Sequence, residues 1–164
     1  MNQAYPTVDG IAPSWADIGV SFTVGGGDLL EMVDIQGIKT GRKVEVGEQR
    51  GASGGRVMAR TTGQGSQEAS MTLYRSGLRK LIKSLMKNAP TRGNEVIIGV
   101  VAFDILIQHT PPGETEIYTT KITGCRYLGD ADDMKEGNEA DKIEITLNPI
   151  KVAQIIDGKE VVLL

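Results

Sequence analysis

The sequence predicts a mainly β fold, a sandwich or barrel-like sheet structure with one flanking amphipathic α-helix. Residues 18–24, 67–74 and 141–149 each alternate apolar with polar side chains, which is the pattern of a half-buried strand. Only residues 76–87 change to a helical period, so one helix is expected to pack on a β structure. Aromatic residues make up 4% of the chain, and the core is therefore expected to be aliphatic.

The predicted helix has one apolar and one basic side. Its apolar stripe follows the spacing i, i+3, i+4, i+7 and i+8 and consists of Leu78, Leu81, Ile82, Leu85 and Met86. The opposite side carries Arg79, Lys80, Lys83 and Lys87. Ser76 is the expected N-cap, and the sequence Asn-Ala-Pro at 88–90 is expected to end the helix.

Alternation and turn residues predict the remaining elements. Residues 1–16 carry Pro6 and Pro13 and little periodicity, which predicts an extended N-terminal arm or a disordered tail. An extended arm would dock through Tyr5, Ile11 and Trp15. Residues 95–108 are apolar on both faces in their first half, which indicates a central strand. Further strands are expected at 29–35, 39–46 and 115–128, and a terminal hairpin at 151–164 around an Asp157-Gly158 turn of type I′.

Residues 47–65 show no core-forming pattern and contain six glycines. A segment of this length inside a compact domain is usually functional or disordered. Because it joins two strands, it is expected to project as a hairpin-like finger. The residues expected to make contacts from the finger are three arginines and two apolar residues at its tip: Arg50, Arg56, Arg60, Val57 and Met58.

Length and composition restrict the class of protein. The 164 residues suit a single domain spanning 1–164, and no apolar run is long enough for a transmembrane helix. A single cysteine, Cys125, excludes an internal disulfide framework. The net charge of −3 does not indicate a nucleic-acid or membrane-surface protein. Every charged residue in 69–94 is basic, whereas acids dominate 129–141, which indicates either self-association through complementary faces or two unrelated solvated surfaces.

No catalytic, metal or cofactor site is expected, so the protein is not predicted to be an enzyme. The only histidine, His109, precedes a Pro-Pro turn and has no nucleophile motif or second ligand near it. The glycine runs lack the spacing of dinucleotide- and phosphate-binding loops. The acidic segment fails the EF-hand template, since Met134 and Lys135 stand where that template requires an acid or Asn and then Gly. A β-rich domain with a finger, an arm and no catalytic constellation is typical of a structural assembly subunit.

Three blocks in this order resemble the tail tube proteins of contractile-tailed phages and phage-like particles, which are related to the type VI secretion tube protein. The first block is a strand, a Gly- and Arg-rich finger and the next strand, KTGRKVEVGEQRGASGGRVMARTTGQGSQEASMTLY. The second is the helix, RSGLRKLIKSLMK. The third comprises ITGCRYLGD, an acidic loop and DKIEITLNPIKV. Together these blocks cover roughly residues 37–152.

The resemblance implies a structural role. Six copies would join their sheets into one barrel around a channel, and such rings would stack into a tube inside a contractile sheath. DNA and the tape measure protein would pass through, and baseplate and tail terminator proteins would meet the ends of the tube. The protein would then be part of the phage tail of a virion, assembled in the host cytoplasm, without insertion into a membrane. The finger would reach a neighbouring subunit or ring, and the outward basic side of the helix, with Arg79, Lys80, Lys83 and Lys87, would face the sheath.

A channel for DNA also makes a prediction about its wall. Fixed cations would hold a dense polyanion, whereas acids and small polar groups would let it slide. The channel-lining residues predicted on this ground are Glu68, Ser70, Thr72, Glu144 and Thr146, unless that face points to ordinary solvent. Two other classes remain open, namely another phage or secretion component, such as a non-contractile tube or a baseplate hub, and a small β-barrel binding module for nucleic acid or sugar.

Overall fold

The computed structural model describes residues 18–24, 28–31, 35–52, 54–61, 63–110, 115–132, 134, 136–137 and 141–163. The predicted N-terminal arm at 1–16 lies outside the described residues. The strands are β1 Ile18–Val24, β2 Asp28–Glu31, β3 Ile35–Glu45, β4 Glu48–Arg50, β5 Val57–Arg60, β6 Gln64–Tyr74, β7 Thr91–Arg92, β8 Glu95–Val96, β9 Phe103–His109, β10 Tyr118–Asp132, β11 Lys142–Asn148, β12 Lys151–Ile156 and β13 Lys159–Val161. The helix α1 is Arg75–Met86.

Nine strands form one antiparallel sheet that divides into two parts at β10. The first half of β10 pairs with β9 on one side and β12 on the other, and this part, with β1, β2 and β13, is called sheet A. The second half of β10 pairs with β11, which leads to β6 and β3, and this part is called sheet B. The mainly β architecture with one helix is therefore confirmed.

A bend in two adjacent strands separates the two sheets. β11 and β12 both pair with β10, and the register is the same for both, since Arg126 pairs with Asn148 and Thr123 with Lys151. Gly124 lies at the bend with φ +67°, and a Cβ there would meet the Ile150 side chain at 2.6 Å. The Gly124 backbone N–H donates a hydrogen bond of 2.9 Å to Asp104 Oδ1. Glycine is required here both for its backbone conformation and for the close approach of Ile150.

Side-chain hydrogen bonds also join the two sheets where β3 and β6 of sheet B come near β12 and β13 of sheet A. The Gln67 side-chain amide donates to the Ile150 carbonyl at 3.1 Å, and its carbonyl accepts from the Val152 N–H, so it takes the place of a backbone pair. The Arg42 guanidinium donates to the Val161 carbonyl at 3.0 Å. The two sheets thus enclose one core between them.

The core is mostly aliphatic, as predicted. Buried residues of sheet A, such as Phe22 and Ile105, belong to one cluster with Leu73 and Ile145 of sheet B. In α1, Leu81 and Leu85 are fully buried in the same cluster, whereas the stripe residue Met86 is 46% exposed. No helix in the described part of the chain is long and apolar enough to cross a membrane.

Several boundaries differ from the sequence-based expectation. Residues 95–108 are not one central strand, because 95–96 belong to a small hairpin with β7, 97–102 are irregular, and β9 begins at Phe103. Ser76 is not the N-cap of α1, since β6 leads directly into the helix and the extended residue Tyr74 caps it without a side-chain hydrogen bond. The terminal hairpin is confirmed, with φ of 50° at Asp157 and 72° at Gly158, as a type I′ turn requires.

Candidate assembly surfaces

The outer side of sheet B, called the polar face, collects the five residues predicted to line a channel. Ser70 pairs directly with Thr146, and Thr72 pairs with Glu144, while Glu68 continues the row on β6. Their neighbours in sequence, such as Ala69 and Met71, are buried on the inner side. The structure thus brings all five together on one face, although their predicted role in a channel stays a prediction.

The polar face also holds residues that the sequence reasoning missed. Lys39 of β3 pairs with Ser70, and Arg126 of β10 pairs with Asn148. Leu128 is exposed at a bulge of β10, and a shallow depression of about 360 Å³ lies between it, Lys39 and Glu68. The polar face is therefore mixed in charge. Alternation along β3 could have placed Lys39 here, but the register between strands was needed to put it beside Ser70.

Sheet B ends in two strand edges without a partner among the described strands. β3 pairs with β6 on one side alone. The second half of β10 pairs with β11, whereas β9 reaches only as far as Cys125 on its other side. Natural proteins normally cover or pair the edge strands of a sheet.

Within the segment 47–65, called the finger, β4 and β5 form an exposed hairpin. Glu48 pairs with Arg60 and lies 3.2 Å from Arg50 and 3.9 Å from Arg60, measured between side-chain oxygen and nitrogen atoms. The turn lies at 51–56, so Val57 and Met58 stand on β5 beside the turn rather than at the tip itself. Met58 is nevertheless 76% exposed. None of the described residues of β4 and β5 is buried, which leaves the finger with almost no support from the core of its own chain.

The helix α1 turns its basic side outward. Its basic residues Arg79, Lys80, Lys83 and Lys87 are all exposed. A groove of about 930 Å³ runs beside them over Leu78, Ile82 and Met86. These basic side chains are exposed in the subunit, and their contact with a sheath stays a prediction.

The acidic loop, residues 129–141, meets the start of α1 within the same chain. The Arg75 guanidinium lies 2.7 Å from an Asp132 carboxylate oxygen and 3.0 Å from one of Asp141. Hydrogen bonds to these two carboxylates raise the pKa of Arg75. Part of the charge separation seen in the sequence is thus neutralised inside the subunit, which the linear pattern could not reveal.

The side chains with the most reactive functional groups, namely Cys125, Tyr127 and His109, are held by burial, a hydrogen bond or ring stacking. Burial raises the pKa of the Cys125 thiol to about 12. Burial, and a hydrogen bond that the Tyr127 hydroxyl donates to Asp130 at 2.7 Å, raise the pKa of Tyr127. His109 stacks on Tyr118 with ring centroids 5.3 Å apart. Within the described ranges, no group of His, Cys, Asp and Glu side chains could hold a metal ion.

The fold is similar to that of chains in several solved tube assemblies. A chain of the anti-feeding prophage (AFP) tube-terminating cap superposes with a TM-score of 0.58 and 16% identity, covering 92% of this chain and 94% of that one. A chain of the PVC sheath–tube complex, an extracellular contractile injection system, gives a TM-score of 0.54 and 17% identity over 87% and 88%. The SPP1 tail tube gives 0.54 and 14% identity over 88% and 81%.

The chain has the tail tube fold. The resemblance seen in the three sequence blocks is therefore confirmed at the level of the fold, and the coverage extends over most of both chains in each comparison. No protein-family model and no curated protein matches the sequence. At these identities the similarity establishes the fold, and the residues of the polar face, the finger and the helix need their own argument.

Proposed function

We propose that this protein is the tube subunit of a contractile tail, in a phage or a phage-like injection particle. Six copies form a ring, rings stack into a tube, and the tube serves as a channel for DNA and the tape measure protein. The observation that carries the proposal is sheet B, whose inner side is buried, whose outer side is polar and whose two strand edges have no partner among the described strands.

The strand directions of sheet B suit a closed ring. Its four strands run β10, β11, β6 and β3, and every neighbouring pair is antiparallel. β3 therefore runs opposite to β10. If β3 of one copy lies beside the second half of β10 in the next, their junction is antiparallel like the others. Six such junctions leave no free edge, because closure removes both ends of the sheet.

In this ring the polar face of sheet B lines the channel. Glu68, Glu144 and the hydroxyl groups of Ser70, Thr72 and Thr146 lie on that face beside Lys39 and Arg126. A wall of mixed charge gives a polyanion no continuous cationic track to bind. Substitution of Glu68 and Glu144 by Lys removes two acids per subunit and adds two cations, so the variant tubes are expected to retain DNA at low salt and release it at high salt.

The outward side of α1 faces the sheath in this arrangement. Arg79 and Lys83 are exposed beside the apolar groove, which suits an acidic surface on the partner. Reversal of these two residues to Glu should leave tubes intact and impair sheath assembly. Baseplate and terminator proteins contact the two ends of the tube, and the protein resides in the tail of the particle after assembly in the host cytoplasm.

Electron microscopy of the purified protein tests the proposal directly. Rings of six subunits or hollow rods are expected, and light scattering should show assemblies rather than monomers across several salt concentrations. A protein that stays monomeric at high concentration under all these conditions contradicts the tube. A reconstruction also tests the polar face, because Glu68 and Glu144 on the outer surface or within the ring-to-ring contact would contradict a channel-lining role while leaving the tube itself in place.

A further inference from the structure

Two opposite charges on the polar face are unpaired within the subunit. Arg126 and Glu68 are both exposed, and no ion pair is recorded for either among the residues that the structure describes. Asn148 of β11 stands between them, because it pairs with Arg126 and follows Leu147, the partner of Ala69. Their Cα atoms are therefore two strand spacings apart, about 10 Å, with an amide side chain in the way.

The other side of Glu68 is open. Its partner on β3 is Gly41, and the nearest atom to a Cβ built on Gly41 is the Glu68 Cβ at 4.0 Å. β3 is an edge of sheet B, so a side chain from a neighbouring copy can approach the Glu68 carboxylate over the glycine. Along the polar face of β3, glycines alternate with lysines, in the order Gly37, Lys39, Gly41 and Lys43.

Arg126 lies at the opposite edge of the same face, next to the free part of β10. The segment 97–102 approaches β10 at Tyr127, where a Cβ on Gly99 would lie 3.4 Å from the carbonyl oxygen. The edge that is open to a second copy therefore begins at Leu128, the extra residue of the bulge between Tyr127 and Gly129. Arg126 just precedes this open edge, within reach of a strand that pairs along residues 128–132.

Charge selects among the registers that the ring junction could adopt. Polar-face residues of the two copies must stand opposite each other, because a shift by one residue would turn one face inward. Arg126 opposite Lys39 or Lys43 would place like charges together, which is destabilising. Glu45 at the end of β3 is already bonded to Lys43, at 2.7 Å. A position opposite Gly41 avoids both lysines and puts Arg126 next to an acid that has no partner.

We propose that Arg126 of one copy extends over Gly41 of the next copy in the ring and forms an ion pair with Glu68 there. This inference rests on the proposed tube and names the contact that sets the register of its ring junction. Glycine between the two charges leaves the space that Asn148 occupies within the subunit. The pair also neutralises a cation on the proposed channel wall, which leaves DNA one site fewer to bind.

Cysteine cross-linking tests the register while keeping the ion pair. With Leu128 counted as the extra residue, the register that places Arg126 opposite Gly41 also places Ala131 opposite Gly37. The variant with Ala131→Cys and Gly37→Cys is oxidised and run on a non-reducing gel, where a ladder that ends at the hexamer is expected. Cys125 does not interfere, because it is buried and its raised pKa keeps it as an unreactive thiol.

The matched control uses the second glycine of the polar face. Ala131→Cys with Gly41→Cys places the two thiols four residues out of register, about 13 Å apart along the strand. A disulfide needs Cα atoms within about 7 Å, so this variant should give no ladder. A ladder from the control and none from the Gly37 variant would reveal another register and overturn the contact.

Charge reversal tests the ion pair itself. Arg126→Glu should raise the protein concentration at which half of the chains are in rings about tenfold or more, as measured by sedimentation velocity. Adding Glu68→Arg to the same chain should restore the original concentration, because the pair is reformed with opposite signs. The matched control is the same swap at Arg92 and Glu95, which pair with each other on the exposed hairpin of β7 and β8. Neither control variant, single or double, should change ring formation.

The outcomes separate this inference from the tube proposal. Rings of the unmodified protein without a ladder from the Gly37 variant overturn the contact and leave the tube in place. A double reversal that fails to recover rings, or a single reversal that assembles normally, does the same. A ladder from a protein that electron microscopy never shows as rings or rods supports the contact and overturns the tube. An unmodified protein that stays monomeric, together with no ladder, overturns both.

Discussion

The helix and the finger are both attached to β6, one at each end, yet they are stabilised in opposite ways. α1 buries Leu81 and Leu85 completely in the core that the two sheets share. The finger buries none of the described residues of its two strands and is held mainly by its own backbone pairs and by ion pairs around Glu48. The helix is therefore anchored in the core of the subunit, whereas the described residues of the two finger strands remain exposed.

This contrast was partly visible in the sequence. A stripe of leucines at helical spacing indicates that a helix packs on the core, and the glycine-rich segment, which lacks such a pattern, indicates that the finger does not. The sequence did not indicate how far each stripe residue would be buried, because burial of Met86 depends on what lies opposite the helix.

Truncation of the helix core should have the largest effect on stability. Leu81→Ala should lower the free energy of unfolding by about 2–5 kcal/mol, through lost burial and the cavity that remains. Met86→Ala, in the same stripe but 46% exposed, is the matched control and should cost far less. Chemical denaturation of both variants measures the difference. Equal losses would show that the helix is not anchored through Leu81.

The second largest loss of stability is expected from a substitution at the bend between the two sheets. Gly124→Ala should cost about 1–3 kcal/mol, because φ is +67° there and the new Cβ would meet the Ile150 side chain at 2.6 Å. Gly129→Ala is the control, since that glycine lies in the same strand, has no positive φ and has no atom within 4 Å of the added Cβ. If both variants are equally stable, the bend does not require glycine.

The sequence predicted the strands around this bend but not the bend itself. Alternation placed β1, β6 and β11 correctly, because one apolar face per strand is a local signal. Residues 95–108 were predicted as one strand, since a continuous apolar run fits a buried strand as well as an irregular buried segment. The Arg75–Asp132 pair joins residues far apart in the chain, so only the fold could bring them together.

The stability of the core should also depend on pH through the buried thiol of Cys125. The thiol of Cys125 has a pKa of about 12 in the folded protein against 9.0 for an unperturbed thiol. Above pH 9 the unfolded thiol ionises while the folded one stays neutral, so folding stability should fall as pH rises from 9 towards 12. The loss assigned to this group is about 1 kcal/mol at pH 10. Denaturation at pH 8 and pH 10 measures it.

Cys125→Ala is the control for that measurement, because other groups also titrate in this range. The variant loses stability at both pH values through the missing side chain, but the additional loss between pH 8 and pH 10 should be smaller than in the unmodified protein. An identical pH dependence in the two proteins would mean that the thiol is not shielded.

The smallest effect on stability is expected in the finger, where it separates folding from assembly most clearly. Deletion of residues 52–57 removes the turn and the first residue of β5, none of which is buried among those described. The free energy of unfolding should change by less than about 0.5 kcal/mol, as for other surface changes. Ring stacking should nevertheless fail if the proposed tube is right, because the deletion removes the exposed end through which the finger would reach a neighbouring copy. A deletion variant that unfolds at the same denaturant concentration and still forms rods of normal length would show that the finger contributes to neither, and the contrast with α1 would lose its functional meaning.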